Sequence, residues 1–345
     1  MRNSLNSRDS IVLLKYSHFL EDNKLENKQF KLQRRVHELE QELYPSTDIG
    51  KRTNKKFESE NPFVRKSLDN FGPFNFDQCN QIAEAQYLPP IEFNNGIIYQ
   101  GQWLNKKRWG RGQQLFPDGT VYEGSWKNDM AEGYGRLITP EGNTYIGFWK
   151  ENEKEGKGTL YYENGVIFEG EFLKDQENGY GIEKWPDQSM FQGNYINGIK
   201  QGLGKYKWTD GSIYDGNFQN NQINGKGKQI WSDGRQYEGD WVLNKMHGIG
   251  TFIWPDGKKY IGNYREDLKE GYGEFIWPDG RIYKGEWYNG NPHGKGVFID
   301  KTGKQEKGQY FKQISQTYPN LVVKINLQQY FQIILVQSQI MNLTK

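Results

Sequence analysis

The sequence is poor in cysteine and in net charge. Cys79 is the only cysteine among 345 residues. One thiol excludes an internal disulfide and any zinc site built from several cysteines, and it agrees with a reducing compartment. The formal net charge is only +2. Because nucleic-acid-binding domains concentrate basic residues on one face, this balance does not indicate such a partner, and we predict none.

The sequence also lacks the features of a secretory or membrane-spanning segment. Only four apolar residues stand together near the N-terminus before Lys15 interrupts them, which is not the pattern of a signal peptide. Residues 325–344 carry no charge and are long enough to cross a bilayer. Their five glutamines and two asparagines are costly in hydrocarbon, however. We therefore predict an intracellular chain that is not transmembrane.

Glycine and aromatic residues are abundant instead, with 41 glycines and 15% Phe, Trp and Tyr. From Tyr99 onward they follow a 23-residue period through nine full repeats, with a partial repeat at each end. When the aromatic start is numbered position 0, positions 2, 11, 13 and 20 hold 35 of the 41 glycines. All the tryptophans except Trp109 fall at positions 4 and 17. The starts are Tyr99, Tyr122, Tyr145, Phe168, Phe191, Tyr214, Tyr237, Tyr260 and Tyr283.

Each repeat has the pattern of a β-hairpin. Alternate residues such as Tyr237 and Trp241 share one face of a first strand, and Phe252 and Trp254 continue that face on a second strand. A Trp-Pro-Asp-Gly segment then predicts a type I turn. Positions 5–11 are variable and charged, which indicates an exposed loop. Strands joined by short connections run antiparallel, so residues 91–310 are predicted to form an elongated, single-layer antiparallel β-meander in a mainly β protein.

The repeat resembles the MORN family (membrane occupation and recognition nexus). The resemblance rests on the Tyr-x-Gly-x-Trp start, the Gly-x-Gly pair and the Asp-Gly turn, and it covers about 210 of 345 residues. It implies a scaffold of β-hairpins at cytoskeletal or membrane structures, such as the radial spoke heads of ciliary axonemes. Similar arrays are also regulatory parts of phosphoinositide kinases and of a lysine methyltransferase.

The flanking segments have different patterns. Residues 8–43 predict an amphipathic helix, which either packs on its own chain or self-associates as a coiled coil. Residues 44–90 are polar and predict a linker with a short helix. Residues 311–345 predict a helical tail lying on the aromatic face of the sheet, where it would cover apolar surface. The apolar stripe of the N-terminal helix is Leu25, Leu32, Val36, Leu39 and Leu43.

Two sets of residues are candidate binding residues. Lys106, Lys107, Arg108 and Arg111 form a basic run in the first loop and are candidate contacts to anionic phospholipid, although scattered solvated charge is the simpler interpretation. The aromatic face is predicted to be structural and is also a candidate partner groove. Its members are Tyr99, Trp103, Tyr122, Trp126, Tyr145, Trp149, Trp185, Trp208, Tyr214, Trp231, Tyr237, Trp241, Trp254, Tyr260, Trp277, Tyr283 and Trp287.

No catalytic, metal or cofactor site is predicted. The Gly-Lys-Gly triplets lack the Ser or Thr of a phosphate-binding loop. His247 and His293 lie two repeats apart, too far to share a metal ion. We therefore predict a non-enzymatic scaffold that binds protein partners, in the cytoplasm, at the cytoskeleton or in a cilium. The alternatives are a module that binds anionic phospholipid, or a regulatory partner of a phosphoinositide kinase.

Overall fold

The computed structural model describes residues 50–79, 82–312 and 322–325. The predicted N-terminal helix and most of the predicted C-terminal tail lie outside these residues. The chain divides into two compact units, Met1–Lys200 and Gln201–Lys345. We call them unit 1 and unit 2. In each, consecutive strands pair antiparallel, which confirms the predicted meander of β-hairpin repeats.

The described part of unit 1 contains one α-helix, one 3-10 turn and eleven strands. The helix α1 spans Pro62–Phe71 and the 3-10 turn spans Phe76–Gln78. The strands are β1 (Lys51–Arg52), β2 (Gln86–Glu92), β3 (Ile98–Leu104), β4 (Lys107–Leu115), β5 (Val121–Lys127), β6 (Met130–Ile138), β7 (Thr144–Lys150), β8 (Glu153–Tyr161), β9 (Ile167–Leu173), β10 (Gln176–Lys184) and β11 (Met190–Ile196).

Unit 2 has the same hairpin pattern. Its first strand, β12, begins two residues before the division between the units. Its strands are β12 (Ile199–Lys207), β13 (Ile213–Gln219), β14 (Gln222–Ile230), β15 (Gln236–Val242), β16 (Lys245–Ile253), β17 (Lys259–Arg265), β18 (Leu268–Ile276), β19 (Ile282–Tyr288), β20 (Asn291–Ile299), β21 (Gln305–Lys312) and β22 (Val322–Ile325).

Two kinds of turn alternate along the meander. The Asp-Gly turn has the predicted form: Gly257 takes φ 84 and its N–H donates to the Trp254 carbonyl at 2.9 Å. The other connection is shorter than the loop predicted from positions 5–11. Only two residues with positive φ join its strands, for example Asn220 (φ 51) and Asn221 (φ 63). Such tight turns match the right-handed twist of paired strands, so the variable charged residues belong to strands as well as to the turn.

The paired glycines allow aromatic rings to lie directly on the backbone. Gly216 and Gly227 face each other across β13 and β14, and a Cβ added at Gly227 would lie 2.1 Å from the Tyr214 hydroxyl oxygen. That hydroxyl donates to the Asn217 carbonyl at 3.1 Å, beside a register shift in the ladder. Glycine is therefore required at positions 2 and 13, because any side chain there would displace the ring.

Two predictions for the flanking segments are wrong where the structure describes them. Residues 50–79 are not a free linker: β1 pairs with β2, and α1 packs on the sheet of unit 1. The short helix itself is present, with Asn61 accepting from the Phe63 and Val64 N–H groups at its start. In the tail, Val322–Ile325 form a strand paired with β21 instead of a helix. β-branched residues beside an open strand edge favour this pairing.

Candidate partner-binding surface

The two faces of the sheet differ in how they are packed. We call the side with the aromatic residues of positions 0 and 4 the ring face, and the other side the back face. On the ring face within each unit, position-0 rings meet position-4 rings of their own repeat and of the next repeat edge to face. Tyr122 lies 5.0 Å from Trp126 in its own repeat and 5.3 Å from Trp149 in the next. This ladder of edge-to-face contacts forms the core of each unit.

The rings predicted as a partner groove are therefore mostly interior. The twelve at positions 0 and 4 are buried, with at most 7% of each residue exposed, so they pack as a structural face and are not accessible as a partner groove. Burial raises the pKa of Tyr99 far above the ordinary value, and the phenol stays neutral. The five tryptophans at position 17 are half-buried at the margin of the same face. They are Trp185, Trp208, Trp231, Trp254 and Trp277.

The four candidate lipid contacts do not form a basic patch. Arg108 is only 2% exposed: its guanidinium lies 4.4 Å from the Trp126 ring centroid and donates to the Asp129 carbonyl at 2.7 Å. A buried guanidinium cannot reach a lipid headgroup, so this assignment is wrong. Arg111 is half-buried, and its guanidinium donates to the Cys79 carbonyl at 3.3 Å. Lys107 is half-buried and donates to an asparagine side chain, and only Lys106 is exposed.

On the back face of unit 1, α1 covers an apolar strip at the Asp-Gly end of the strands. Val64 is fully buried in a cluster with Ile98, Leu115, Val121 and Ile138. Just before α1 begins, and again one helical turn after Val64, hydroxyl and amide groups donate to carbonyls of the sheet turns. The donors and acceptors are Ser59 Oγ to Gly119 O at 2.8 Å, Asn61 Nδ2 to Pro140 O at 3.1 Å and Ser67 Oγ to Gly142 O at 2.9 Å.

The helix crosses the strands in register with the repeats. Val64 lies in the same buried cluster as Ile138, and Phe71 contacts Tyr161 with ring centroids 4.8 Å apart. Ile138 and Tyr161 both occupy position 16 of successive repeats. Seven residues of helix span about 10.5 Å, and the two strands of one repeat span about 9.6 Å. An α-helix with apolar residues seven positions apart therefore places one of them over each repeat.

Residues 72–79 extend this cover toward the middle of the strands. Phe74 stacks on Tyr134 with centroids 6.0 Å apart, and Arg136 Nη1 donates to the Gly72 carbonyl at 2.9 Å. Arg136 also forms a buried ion pair with Glu123. Cys79 lies inside this contact, with its Sγ 3.2 Å from the Tyr134 carbonyl, and burial raises the pKa of the thiol. The cysteine is thereby a packed structural residue.

In unit 2, the same back-face positions are open. Position 16 carries isoleucine in four successive repeats, and Ile230 and Ile253 are 38% and 37% exposed. Nearer the middle of the strands, Ile249 and Tyr272 at position 12 are 63% and 56% exposed. The surface thus presents one or two apolar side chains per repeat. We call the position-16 residues the isoleucine row: Ile230, Ile253, Ile276 and Ile299.

The charged groups beside the isoleucine row are paired locally. Lys258 Nζ lies 2.6 Å from Asp256 Oδ2, and Arg281 Nε lies 2.7 Å from Asp279 Oδ2, both within the turns. These contacts hold the pKa values of the two aspartates below their ordinary range. The two charges in each local pair largely cancel. The isoleucine row therefore presents mainly apolar side chains and turn carbonyls to a partner, with little net charge.

In the described part of the chain, no group of three or more His, Cys, Asp or Glu side chains is placed to hold a metal ion. None of the described helices has the length and apolar character needed to span a membrane.

A family model described as "MORN repeat" matches the chain nine times and covers more than half of it. The matched residues are 99–121, 122–144, 145–167, 168–190, 191–213, 214–234, 237–259, 260–280 and 283–305. The nine matches begin at the nine repeat starts, from Tyr99 to Tyr283. The search of curated proteins finds no match.

Several solved structures of low similarity are TCP domains. The TCP10 domain of Danio rerio CPAP is 16% identical, with a TM-score of 0.36, over 64% of this chain and 99% of that chain. The same domain bound to a peptide of Danio rerio STIL is 13% identical, with a TM-score of 0.35, over 64% and 98%. The Drosophila melanogaster SAS-4 TCP domain with a proline-rich motif of Ana2 is 15% identical, with a TM-score of 0.29, over 56% and 99%. At these TM-scores the likeness carries no functional argument.

Proposed function

The chain belongs to the MORN-repeat family, and on this premise we propose that it is a non-catalytic scaffold that binds an amphipathic helix of a protein partner. MORN repeats are in general modules that interact with proteins or lipids, and the family is non-catalytic. The proposed contact lies across the isoleucine row of unit 2. The observation that supports it is the docking of α1 on the corresponding row of unit 1.

The docked α1 indicates what a partner would need. A helix lying across the strands meets one repeat for every seven of its residues. The partner would place apolar residues at that spacing over Ile230, Ile253 and Ile276, as Val64 and Phe71 are placed over unit 1. Serine or asparagine side chains beside them would bind turn carbonyls such as that of Gly257, by analogy with Ser67 on Gly142. The recognition mode is a helix on an apolar surface.

The finer assignments have weaker support. Placement in a ciliary axoneme or another cytoskeletal assembly, and a regulatory role beside a phosphoinositide kinase, rest on the family resemblance alone. Binding of anionic phospholipid loses its main sequence argument because Arg108 is buried and Arg111 and Lys107 are half-buried. A protein helix is favoured over a lipid surface because the exposed charges beside the isoleucine row are already paired.

Site-specific photo-crosslinking tests this proposal. Benzoylphenylalanine replaces Ile253 in the full chain, crosslinking is carried out in cells, and mass spectrometry identifies the attached segment. Lys207, an exposed residue at the same repeat position, provides the matched control. We expect position 253 to capture a protein segment with apolar residues seven positions apart, and Ile276→Glu to abolish that capture. Attachment of phospholipid, attachment of the chain's own residues 326–345, or equal capture at position 207 would overturn the proposal.

A further inference from the structure

A side-chain oxygen caps the position-9 N–H group in several repeats, and it comes from position 7 of the next repeat. Position 7 is the second residue of the two-residue turn. We call the place between position 9 of one repeat and position 7 of the next the cap slot. The bonds are Arg108 N to Asp129 Oδ1 at 2.9 Å, Ala131 N to Asn152 Oδ1 at 2.7 Å, Lys154 N to Asp175 Oδ1 at 2.9 Å, Ile223 N to Asn244 Oδ1 at 2.7 Å and Met246 N to Asp267 Oδ1 at 2.8 Å.

In two of these slots the same carboxylate also pairs with a cationic side chain at position 9. Asp129 Oδ1 lies 3.3 Å from Arg108 Nε, and Asp175 Oδ1 lies 3.7 Å from Lys154 Nζ. One carboxylate oxygen therefore faces a main-chain donor and a side-chain cation at once. Hydrogen bonds of an ionised acceptor are stronger than those between neutral groups, so a carboxylate suits such a slot better than an amide does.

The fourth repeat shows that a carboxylate from another residue fills the slot when position 7 of the next repeat is glycine. That glycine is Gly198, and a Cβ added to it would lie 3.3 Å from Glu177 Oε2. Glu177 occupies position 9, and its carboxylate accepts from its own N–H group. The cap slot therefore receives an oxygen even where the turn residue has no side chain.

The eighth repeat combines a cation at position 9, Lys269, with glycine at position 7 of the next repeat, Gly290. The Gly290 N–H donates to the Lys269 carbonyl at 3.0 Å, as the Asp175 N–H does to the Lys154 carbonyl at 3.1 Å, so the backbone has the same arrangement in both slots. Within the described residues, no carboxylate forms an ion pair with Lys269. The nearest atom to a Cβ added at Gly290 would be Leu268 Cδ2, at 3.9 Å.

The rings hold the Lys269 cation, and the turn side of its slot is open. Lys269 Nζ lies 5.1 Å from the ring centroid of Trp254 and 5.0 Å from that of Trp287, and these contacts stabilise the ammonium form. Leu268 is 44% exposed, and Asn289 in the turn is exposed too. A carboxylate can therefore approach from the turn, which is the side from which Asp175 reaches Lys154.

A glutamate beside the slot is compatible with a second carboxylate. Glu270 accepts from the Asn289 N–H at 3.0 Å, one residue before Gly290. In the third repeat, Glu155 accepts from the equivalent turn N–H at 3.3 Å while Asp175 fills the cap slot next to it. The third repeat is therefore a template for the eighth repeat with its slot filled.

We propose that the cap slot at Lys269 and Gly290 binds a carboxylate from another molecule, either an Asp or Glu side chain of a protein partner or a small free carboxylate. One carboxylate oxygen accepts from the Lys269 N–H and lies beside the Lys269 ammonium, as the Asp175 oxygen does beside Lys154. The slot lies at the opposite end of the strands from the isoleucine row, so it is a separate site from the proposed helix contact.

Titration of the intact chain with sodium acetate, followed by amide NMR of the isotopically labelled protein at pH 6.5, tests the proposal. Lys269 is an ammonium ion at this pH, because burial lowers the pKa of its side chain only to about 8. We expect the amide resonance of residue 269 to shift in a saturable way, with half-saturation on the order of 50 mM. Sodium chloride at equal ionic strength should produce no such shift.

A pair of short peptides distinguishes the two sources of the carboxylate. The probes are an acetylated, amidated tripeptide with aspartate between two glycines and its asparagine counterpart. Half-saturation by the aspartate peptide at a lower concentration than acetate assigns the site to a protein side chain, and the reverse order assigns it to a free carboxylate. Equal binding of the aspartate and asparagine peptides would contradict a carboxylate site.

Two variants change the slot by copying residues that other repeats already contain. Gly290→Asp supplies a carboxylate from the chain, as Asp175 does with φ 68, and it should abolish the acetate response. Lys269→Met removes the cation, as in the seventh repeat where Met246 occupies position 9, and it should raise the half-saturation concentration about fivefold. Lys258→Met removes a turn lysine outside the slot and should retain the wild-type response. The proposal is overturned by an equal shift with chloride, or by a wild-type response in either slot variant.

Discussion

The early repeats of unit 1 and the late repeats of unit 2 have the same hairpin but different back faces. Ile138 and Ile253 both occupy position 16, yet Ile138 is fully buried and Ile253 is 37% exposed. The difference comes from α1, which lies over Ile138 and has no counterpart among the described residues over Ile253. The backbone and its rings therefore fold in the same way whether or not the back face is covered.

This contrast separates two roles within one repeat. The ring face supplies stability in both units, since Tyr145 and Tyr260 are at most 1% exposed. The back face is not needed for the hairpin to form, and its cover comes from outside the repeat. A surface that one part of the chain already uses to hold a helix is available in another part to hold a different helix.

The largest expected effect follows from removing the cover of unit 1. Val64→Asp would place a carboxylate in a fully buried apolar cluster without a partner. We expect it to lower the free energy of unfolding of unit 1 by about 3 kcal/mol or to detach α1 altogether. Hydrogen exchange should then increase at β5 and β6. Phe63→Asp, at a neighbouring residue that is 49% exposed, should change neither measurement. Equal effects of the two variants would show that α1 does not cover the sheet in solution.

A smaller effect compares the two faces directly. Ile138→Ala should lower the free energy of unfolding by about 3 kcal/mol, because it leaves a cavity beneath α1. Ile253→Ala, at the same repeat position, should cost less than about 1 kcal/mol because its side chain is partly in water already. Chemical denaturation of both variants measures the difference. Similar costs at the two positions would mean that the isoleucine row of unit 2 is covered in solution.

The features that could be predicted from sequence are those that the local backbone demands. Glycine at positions 2, 13 and 20 is required by close ring packing or by positive φ, so its period revealed the hairpins and the Asp-Gly turns. The two-residue turn was missed because Asn, Asp, Lys, Glu and Leu all occupy its positive-φ positions. Its sequence signal is therefore much weaker than that of an Asn-Gly pair.

The site was less predictable because burial depends on distant contacts. The alternation of Tyr99 and Trp103 along the strand fits either an open groove or a core. Only the edge-to-face contacts between repeats show that these rings belong to the core. Arg108 stands in a basic run, but strand alternation turns it onto the ring face. The cover by α1 joins residues about 75 positions apart, such as Ser67 and Gly142, and the repeat period does not predict a contact between them.

The smallest effect concerns the hydrogen bonds that hold α1 to the turns. The Ser67 hydroxyl donates to the Gly142 carbonyl at 2.9 Å in a buried position. Ser67→Ala should therefore cost about 1 kcal/mol in the free energy of unfolding of unit 1. Ser232→Ala removes an exposed hydroxyl that donates to Asp210 at 3.2 Å, and it should cost less than about 0.5 kcal/mol. If Ser67→Ala is as mild as Ser232→Ala, turn carbonyls add nothing to helix docking. A partner of unit 2 would then need only its apolar residues, and the requirement for serine or asparagine beside them would be dropped.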